Sequence, residues 1–353
     1  MIIKTDVDRN SWNDFVSSFD GPAILQSFEW GELKSKHGWL PIRLAIEDNG
    51  KIVAAIQILK RKIPYINYSM FYAPRGPVLD CANIMAFDFL LEAVEVEAHK
   101  HNAISFKIDP QVFENDERVK NLLKSRGFRY KKQNVQPRTT IIVNLEKDLE
   151  ELLLTFEEKT RYNIRLSGKK GVMVKEASDD RGVDEFYEIY KETAKRNNFL
   201  IHPKSYYKNI KTCLVDRGLA NIFIAYHRDI PIAGVFTFNF GSRIWYMYGA
   251  SLNSSRNIMP NHALHWHIIK WAKEKGFKNY DLFGIPSNPT QTHPLWGVYR
   301  FKKGFNGDLI KYIGVYDLVY KPLLYALIEN GIILYKNLRS LLLKGKISDS
   351  LEE

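Results

Sequence analysis

The sequence feature that most constrains the fold is an internal repeat. Arg43–Ile58 (RLAIEDNGKIVAAIQI) reads as two apolar strands joined by an Asn-Gly turn, and the segment from Ile222 (IFIAYHRDIPIAGVFTF) shows the same pattern about 180 residues later. In each copy an aromatic strand, an amphipathic helix and a short strand with an aspartate follow. The repeat therefore predicts a duplicated module with the order β-hairpin, strand, helix, strand.

The later elements of the module can be placed with some detail. The amphipathic helices are predicted over Ala86–Lys100 and Asn261–Lys275, and the closing strands carry Asp109 and Asp281. A chain of 353 residues exceeds what one hydrophobic core usually serves. Two domains are expected, covering residues 1–145 and 146–316.

The module order resembles the GNAT acyltransferase fold. This resemblance implies an α/β (α+β) class with two tandem GNAT-like domains, each a mixed sheet flanked by helices. GNAT enzymes bind the acetyl-CoA pyrophosphate on a Gly-rich loop that leads into a helix, where free N–H groups meet the phosphates. The corresponding connections here, PRGPVLDCANIM and SLNSSRNIMPNH, lack the Gln/Arg-x-x-Gly-x-Gly/Ala pattern. An enzyme that uses acetyl-CoA is therefore disfavoured.

Composition adds two constraints. The formal net charge is +11, which indicates either an anionic partner (nucleic acid, anionic lipid or a phosphorylated substrate) or a solvated basic surface. The two cysteines, Cys81 and Cys213, have no CxxC or Cys/His spacing, so a disulfide framework and a zinc site are disfavoured. No apolar run approaches the ~20 residues that span a bilayer, and a cytoplasmic location is expected.

Two basic segments allow two interpretations each. A helix predicted between the halves ends at Gly168 or Gly171; it is either a solvated amphipathic helix or part of a groove for phosphates, and its cations are Lys159, Arg161, Arg165, Lys169 and Lys170. In the tail, Pro322 opens one helix, Gly331 interrupts it, and a second helix over Ile332–Lys346 carries Leu and Ile between Lys and Arg. That helix either lies in an anionic membrane interface or docks on a neighbouring domain, and docking is favoured.

Five phrases occur in one order over nearly the whole chain. They are QSFEWGELKSKHGW; YAPRGPVLD; QPRTTIIVNL with KTRYNIRLSGKKGV; FYEIYKETAKRNNF; and the series WYMYGAS, ALHWHIIKWAKEKGFKNYDLFGI and VYRFKKGFNGDLIKYIGVYDLVY. With these phrases the chain resembles the FemABX family of aminoacyl-tRNA-dependent peptidyltransferases.

The resemblance implies an aminoacyltransferase that adds an amino acid to the stem peptide of a peptidoglycan precursor. Aminoacyl-tRNA would be the co-substrate, the precursor would be UDP-linked or lipid-linked, and no other cofactor and no metal is expected. The C-terminal helices, residues 317–353, are expected to pack back on the first domain. No heptad stretch for a coiled-coil arm is visible, which indicates the short, armless type, nearest to the alanyl-adding enzymes with a UDP-linked precursor. A monomer with peripheral contact to the inner membrane face is also expected.

The chemistry of such a transfer sets requirements for the site. The acceptor amine is a poor nucleophile while protonated (an ordinary lysine-type amine has a pKa near ~10.4), so a base or desolvation must free it. The tetrahedral oxyanion then needs a cationic or N–H donor.

The FKKGF segment supplies the catalytic candidate. By resemblance, Lys302 matches the lysine that is important for catalysis in the family, and it is expected to stabilise negative charge near the donor ester. Lys303 is the alternative if the register differs by one, and Phe301 and Lys303 are expected to contact substrate. The competing interpretation is a strand edge with solvated lysines.

The remaining candidates come from both halves. By resemblance, Lys34 and Arg196 are expected to grip the pyrophosphate of the precursor, and arginine suits this contact because its guanidinium binds phosphate with two N–H groups. Tyr248 and Tyr206 are candidates for the nucleotide or sugar, although core packing is the commoner role. Tyr246 and Tyr248 alternate with Trp245 and Met247 along a strand, so one pair is expected to face inward.

Asp109 is the other catalytic candidate, because it ends a strand where GNAT-type sites place polar groups. It could orient or deprotonate the acceptor amine, although strand-end aspartates are more often turn caps. Asp281 at the equivalent place is expected to be structural. Two other functions remain open: a GNAT-type N-acyltransferase that uses acyl-CoA, and a non-catalytic protein that binds RNA or a membrane surface.

Overall fold

The structure, a computed structural model, describes residues 1–19 and 21–331. The chain forms two compact units, the first from Met1–Phe19, Ala23–Arg138 and the chain from Lys311, the second from Thr139–Ile310. These divisions come a few residues before the predicted ones at 145 and 316. The reason is strand pairing, since residues 139–144 belong to the second sheet and residues 315–319 to the first.

The first unit is built on an eight-stranded mixed sheet. The strand order is β1-β2-β3-β4-β6-β15-β7, with β5 paired to β3, and β4 and β6 run parallel. The strands are β1 (Ile2–Lys4), β2 (Leu40–Asp48), β3 (Lys51–Lys62), β4 (Ser69–Ala73), β5 (Val78–Leu79), β6 (Ala103–Ile108), β7 (Arg129–Lys131) and β15 (Val315–Val319).

One face of this sheet is covered by a long amphipathic helix. Leu90 and Val94 of that helix pack against Ile56 and Phe71 of the sheet in one buried cluster. Asn83 begins the helix, because its side chain accepts a hydrogen bond from the backbone N–H of Ala86 at 3.0 Å. The helices of this unit are α1 (Arg9–Ser17), α2 (Phe28–Ser35), α3 (Ile84–Lys100) and α4 (Glu117–Ser125).

The start of the C-terminal segment packs on the first unit. Residues 322–331 are helical, so Pro322 begins a helix as predicted, whereas Gly331 is still helical. Tyr325 donates to Asp317 at 2.5 Å, and Lys131 lies 2.5 Å from Glu329. The predicted second tail helix, Ile332–Lys346, lies outside the described residues. No helix over residues 1–19 and 21–331 is long and apolar enough to cross a bilayer.

The second unit repeats the module. Its seven strands follow the order β14-β8-β13-β12-β11-β10-β9, and β12 and β13 run parallel, as β4 and β6 do in the first unit. The strands are β8 (Thr139–Asn144), β9 (Met173–Glu176), β10 (Ala220–His227), β11 (Ile230–Phe240), β12 (Arg243–Ser251), β13 (Asn279–Asp281) and β14 (Asp308–Lys311).

Helices cover both faces of this second sheet. The α7–α8 pair covers one face through Phe186 and Tyr207, which contact Phe236, and α6 and α9 cover the other with Phe223. α6 ends where Gly171 takes a φ of 74°, which decides between the two predicted stops. The helices are α5 (Leu149–Thr155), α6 (Glu158–Lys169), α7 (Asp180–Asn197), α8 (Lys204–Cys213), α9 (Pro260–Glu274) and α10 (Trp296–Lys303).

The two hairpins confirm the repeat and turn with the same backbone geometry. In the first, Asn49 and Gly50 both have positive φ, at 49° and 77°, as a two-residue turn requires. In the second, Arg228 and Asp229 adopt the same left-handed backbone, with φ of 52° and 61°. The geometry is repeated although the residues that usually signal it are not.

Asp317 offers a test of what holds the tail to the first unit. Its buried carboxylate accepts from Lys107 at 2.6 Å and from Tyr325, so Asp317→Ala should lower the free energy of unfolding by about 3 kcal/mol, because it leaves the lysine without its carboxylate and removes one of the two partners of the phenol. Denaturant unfolding measures this. The matched control is Asp88→Ala, which removes an exposed pair with Arg126 and should cost much less. Equal losses would contradict the assignment.

Candidate active site

The second unit buries one amine. Lys302, in the last turn of α10, is 5% exposed, and its Nζ donates to the backbone carbonyls of Phe283 and Gly284 at 2.8 Å each. Lys303 is exposed. The segment is therefore the end of a helix, and the interpretation of it as a strand edge with solvated lysines is wrong. Of the two neighbouring lysines, only Lys302 is buried.

A tight turn presents the two carbonyls. It follows β13, where the Asp281 carboxylate accepts from the backbone N–H of Phe283 at 2.8 Å and from the hydroxyl of Thr140. Phe283 has a φ of 55°, in the left-handed region that a short side chain-to-backbone bond can stabilise. Asp281 thus has the structural role that was expected of it, and that role directly shapes the surroundings of Lys302.

Burial changes the acid–base behaviour of this amine. It lowers the pKa of Lys302 from 10.5 to about 7, because the charged form loses its hydration, and the carboxylate of Asp281 opposes the shift only in part. Both protonation states are therefore populated at neutral pH. The charged form can stabilise a developing oxyanion, and the neutral form can accept a proton.

Aromatic side chains form the wall around Lys302. Its Nζ lies 5.4 Å from the ring centroid of Tyr246, which itself lies 4.6 Å from the ring of His265. The ring of Phe301 is 5.2 Å from His265 on another side. Burial, followed by the charge of Lys302, lowers the pKa of His265, and its Nδ1 is 2.9 Å from the hydroxyl of Tyr280. This wall keeps water from the amine.

A second group of predicted residues lies against α7 and α8. Arg196 donates to the backbone carbonyl of Ser251 at 2.7 Å, and burial lowers the pKa of its guanidinium. Tyr206 is 1% exposed, with its ring stacked 3.9 Å from that of His202. Burial raises the pKa of Tyr248, and the hydroxyl of Tyr206 is a hydrogen-bond partner. The structure thus brings Tyr206 and Tyr248 together, with Arg196 bound to the end of the same strand.

A β-bulge separates this group from Lys302. Tyr248 pairs with Phe236 and Tyr246 pairs with the adjacent Thr237, so the bulge at Met247 places the two tyrosines on opposite faces of the sheet. The expectation from simple alternation, that they share a face, is therefore wrong. Tyr246 packs beside Lys302, whereas Tyr248 packs on Tyr207 with ring centroids 5.5 Å apart.

The other two predicted residues belong to the first unit. Lys34 is half-buried on α2, with its Nζ 4.5 Å from the ring of Trp30. Asp109 is 1% exposed and accepts from the hydroxyl of Tyr72 at 2.9 Å and the backbone N–H of Arg75 at 2.7 Å. Burial raises the pKa of Asp109. Through these contacts the Asp109 carboxylate holds the loop that follows β4. The catalytic role of Asp109 stays a prediction.

Sequence reasoning missed several parts of the site. It did not identify His265 or the carbonyls of Phe283 and Gly284, and it left Tyr246 without a role. One signal was present in the sequence: an aspartate at the end of a strand can cap the following turn by accepting a hydrogen bond from the backbone N–H two residues on. Within the described ranges, no group of three His, Cys, Asp or Glu side chains is placed to hold a metal.

Sequence comparison decides the family. The profile described as the FemAB family matches residues 7–227 and 217–331, far more than half of the chain. The chain belongs to the FemAB family. The resemblance to FemABX enzymes is thereby confirmed.

A curated relative extends the comparison over nearly the full length. The lipid II:glycine glycyltransferase of Staphylococcus aureus (strain USA300) is 29% identical, with 92% of this chain and 95% of the relative covered. The alignment spans 401 positions, more than this chain has residues, so the relative contains segments that this FemAB protein lacks. The expectation of a transferase is confirmed.

Solved structures agree on the architecture. A crystal structure of FemX superposes with a TM-score of 0.87 at 27% identity, covering 93% of this chain and 100% of that one. A tandem GNAT protein from the clavulanic acid pathway has a TM-score of 0.52 at 10% identity, covering 88% of this chain and 94% of that one, which shows the fold alone. The predicted class, two tandem GNAT-like modules, is confirmed.

The burial of Lys302 predicts a pH-dependent stability. In the unfolded chain its pKa is the ordinary 10.5, whereas in the fold it is about 7, so between these values the unfolded state binds more protons and stability rises with pH. From about pH 7 to about pH 9, wild type should gain about 2 kcal/mol in free energy of unfolding relative to Lys302→Met. Urea unfolding at both pH values checks this. A difference that does not change with pH would contradict the burial of an ionisable amine.

Proposed function

We propose that this FemAB protein transfers an amino acid from aminoacyl-tRNA to the stem-peptide amine of a peptidoglycan precursor. The name of the Staphylococcus aureus relative favours glycine as the amino acid and lipid II as the acceptor. This choice replaces the alanyl transfer to a UDP-linked precursor that the absence of an arm suggested. The observation that carries the proposal is the buried Lys302 amine held by two backbone carbonyls.

The reaction requires one bond to form and one to break. The acceptor amine attacks the ester carbonyl of the donor, a C–N bond forms, and the tetrahedral intermediate carries an oxyanion. The ester C–O bond then breaks, and the proton lost by the amine ends on the departing hydroxyl oxygen of the RNA. The charged form of Lys302 would stabilise the oxyanion, and the surrounding aromatic wall strengthens that interaction because it excludes water.

The hydrogen bonds of Lys302 restrict what it can do. An ammonium group has three N–H bonds, and two of those of Lys302 are directed at the carbonyls of Phe283 and Gly284. One N–H is left to meet the oxyanion. The two carbonyls also hold the amine in one position, so little reorganisation is needed when charge develops.

The two alternatives fit the structure less well. An N-acyltransferase that uses acyl-CoA needs a pyrophosphate loop, and neither connection that follows the aromatic strands has that pattern. A non-catalytic RNA- or membrane-binding protein has no use for a buried amine whose charge costs stability. In an aminoacyl transfer, the buried charge of Lys302 would stabilise the oxyanion.

One assay tests the function directly. The purified protein is incubated with glycyl-tRNA, or with a mixture of other aminoacyl-tRNAs, and with lipid II or the UDP-linked precursor, and the products are analysed by mass spectrometry. We expect lipid II to gain one glycyl residue. Gain of an acyl group only from acyl-CoA, or no product from any donor, would contradict the proposal.

Lys302 and Lys303 form a matched pair for mutagenesis. Lys302→Met should lower kcat by about 10²–10³ while the affinity for precursor is kept, because the charge acts mainly on the transition state. Lys303→Met removes the same charge from an exposed neighbour and should change kcat far less. Steady-state kinetics separates the two. A large loss for Lys303→Met with a silent Lys302→Met would show that the other lysine is catalytic.

Arg196 is expected to act in binding. Arg196→Ala should raise the Kd for precursor about tenfold or more, since charge-assisted contacts to phosphate are strong. Calorimetry with lipid II measures it. Arg181→Ala on the same helix, where the guanidinium is exposed and paired with Glu185, is the control. If both variants bind as wild type does, Arg196 has no role in holding the precursor.

A further inference from the structure

One face of α6 carries cations in a row. Lys159, Tyr162, Arg165 and Lys169 follow one another at spacings of three, three and four residues, so their side chains lie side by side on the helix surface. All four are exposed, and the ring of Tyr162 is 62% exposed. These four residues are called the α6 basic face.

The cations of this face form no ion pair with the residues that the structure describes. Over residues 1–19 and 21–331, no carboxylate lies within ion-pair distance of Lys159, Arg165 or Lys169. Arg161 on the same helix is different, because it turns back and donates to the backbone carbonyls of Leu154 and Phe156. The predicted basic cluster thus divides into one structural arginine, a row of three outward cations, and Lys170, which is exposed at the end of the helix.

Helix stability does not explain the row. Cations favour the C-terminal end of a helix, where they offset its dipole, and this accounts for Lys169. Lys159 lies in the first turn of α6, where the dipole disfavours a positive charge. The dipole therefore does not account for a lysine at that end of α6.

The opposite side of α6 contacts the helix that carries the catalytic candidate. The backbone N–H of Glu157, which caps α6, donates to the carbonyl of Gly304 at 2.9 Å. Gly304 follows Lys303, and a Cβ at this position would clash with the hydroxyl of Thr160. The α6 basic face is thus carried by a helix whose first turn contacts Gly304, the residue that ends α10.

We propose that the α6 basic face binds the RNA body of the donor. This inference rests on the proposed function. The three cations meet phosphates, and the exposed ring of Tyr162 stacks on a base, as aromatic side chains interleaved with cations do on single-stranded RNA. Because α10 holds Lys302 and its end contacts the first turn of α6, RNA held on this face lies close to the helix of the catalytic candidate.

RNA fits this face better than a membrane does. A helix that lies in a lipid interface inserts a continuous apolar face. The apolar side of α6 is instead buried in the core, where Ile164 is 7% exposed. Its outward side offers a single aromatic ring among cations, which suits stacking and phosphate contact.

The test uses one triple variant and one charge-matched control. Lys159→Gln, Arg165→Gln and Lys169→Gln are combined, and Kd for unacylated tRNA is measured by filter binding over a series of salt concentrations. We expect Kd to rise at least tenfold and the slope of log K against log salt to fall by about 2 to 3. Tyr162→Ser alone should weaken binding without changing the slope.

The control removes as many cations elsewhere. Lys51→Gln, Lys124→Gln and Lys132→Gln are combined; all three lysines are exposed and lie in the first unit. Thermal unfolding of both triple variants should match wild type, since only exposed side chains change. Transfer from a minimal donor, an aminoacyl-adenosine without the RNA body, should be unchanged in both.

The outcomes separate this inference from the proposed function. Loss of tRNA binding in the α6 variant alone supports the surface, even if wild type transfers no amino acid, in which case only the proposed function fails. Equal tRNA binding by both triple variants overturns the inference, whatever the transfer activity. Loss of binding to vesicles that contain anionic lipid, with tRNA binding kept, also overturns it and assigns the face to a membrane.

Discussion

The hydrogen bonds between the Lys302 amine and the carbonyls of Phe283 and Gly284 are the interaction on which the candidate site depends. A buried ammonium is costly, and it is kept only where its N–H groups find acceptors. The turn after β13 supplies these acceptors because the Asp281 carboxylate fixes the backbone at Phe283. The lowered pKa of Lys302 follows from its burial, whereas the two acceptors are what allow a charged amine to stay at this buried position.

The duplicated module uses its strand-end aspartates in related ways. Asp281 holds the turn beside Lys302, and Asp109, at the equivalent place in the first unit, accepts from the backbone N–H of Arg75. Arg75 has a φ of 57°, so this contact also stabilises a left-handed residue. In each unit one buried carboxylate shapes a loop at the end of the parallel strand pair. The duplication thus conserves a structural device, while only the second copy places a lysine against the turn.

Much of the fold was predictable because its signals are local. The Asn49-Gly50 turn and the module order each follow from a few neighbouring residues, and the sequence limited the end of α6 to Gly168 or Gly171, of which the structure has Gly171. The β-bulge at Met247 was not predictable, since it depends on pairing with β11 and reverses the face of Tyr246 relative to Tyr248. Nor do the residue types around them show that Lys302 is buried and Lys303 exposed, because this difference arises only when α10 packs on the core.

The central claim is that Lys302 titrates near neutrality in the folded protein. Its pKa can be measured by NMR on protein with isotope-labelled lysine, with the Lys302→Met variant used to assign the resonance. The structure predicts a midpoint of about 7, well below the ordinary lysine value of 10.5. A midpoint near the ordinary value of 10.5 would contradict the buried, hydrogen-bonded amine and the role in catalysis that rests on it.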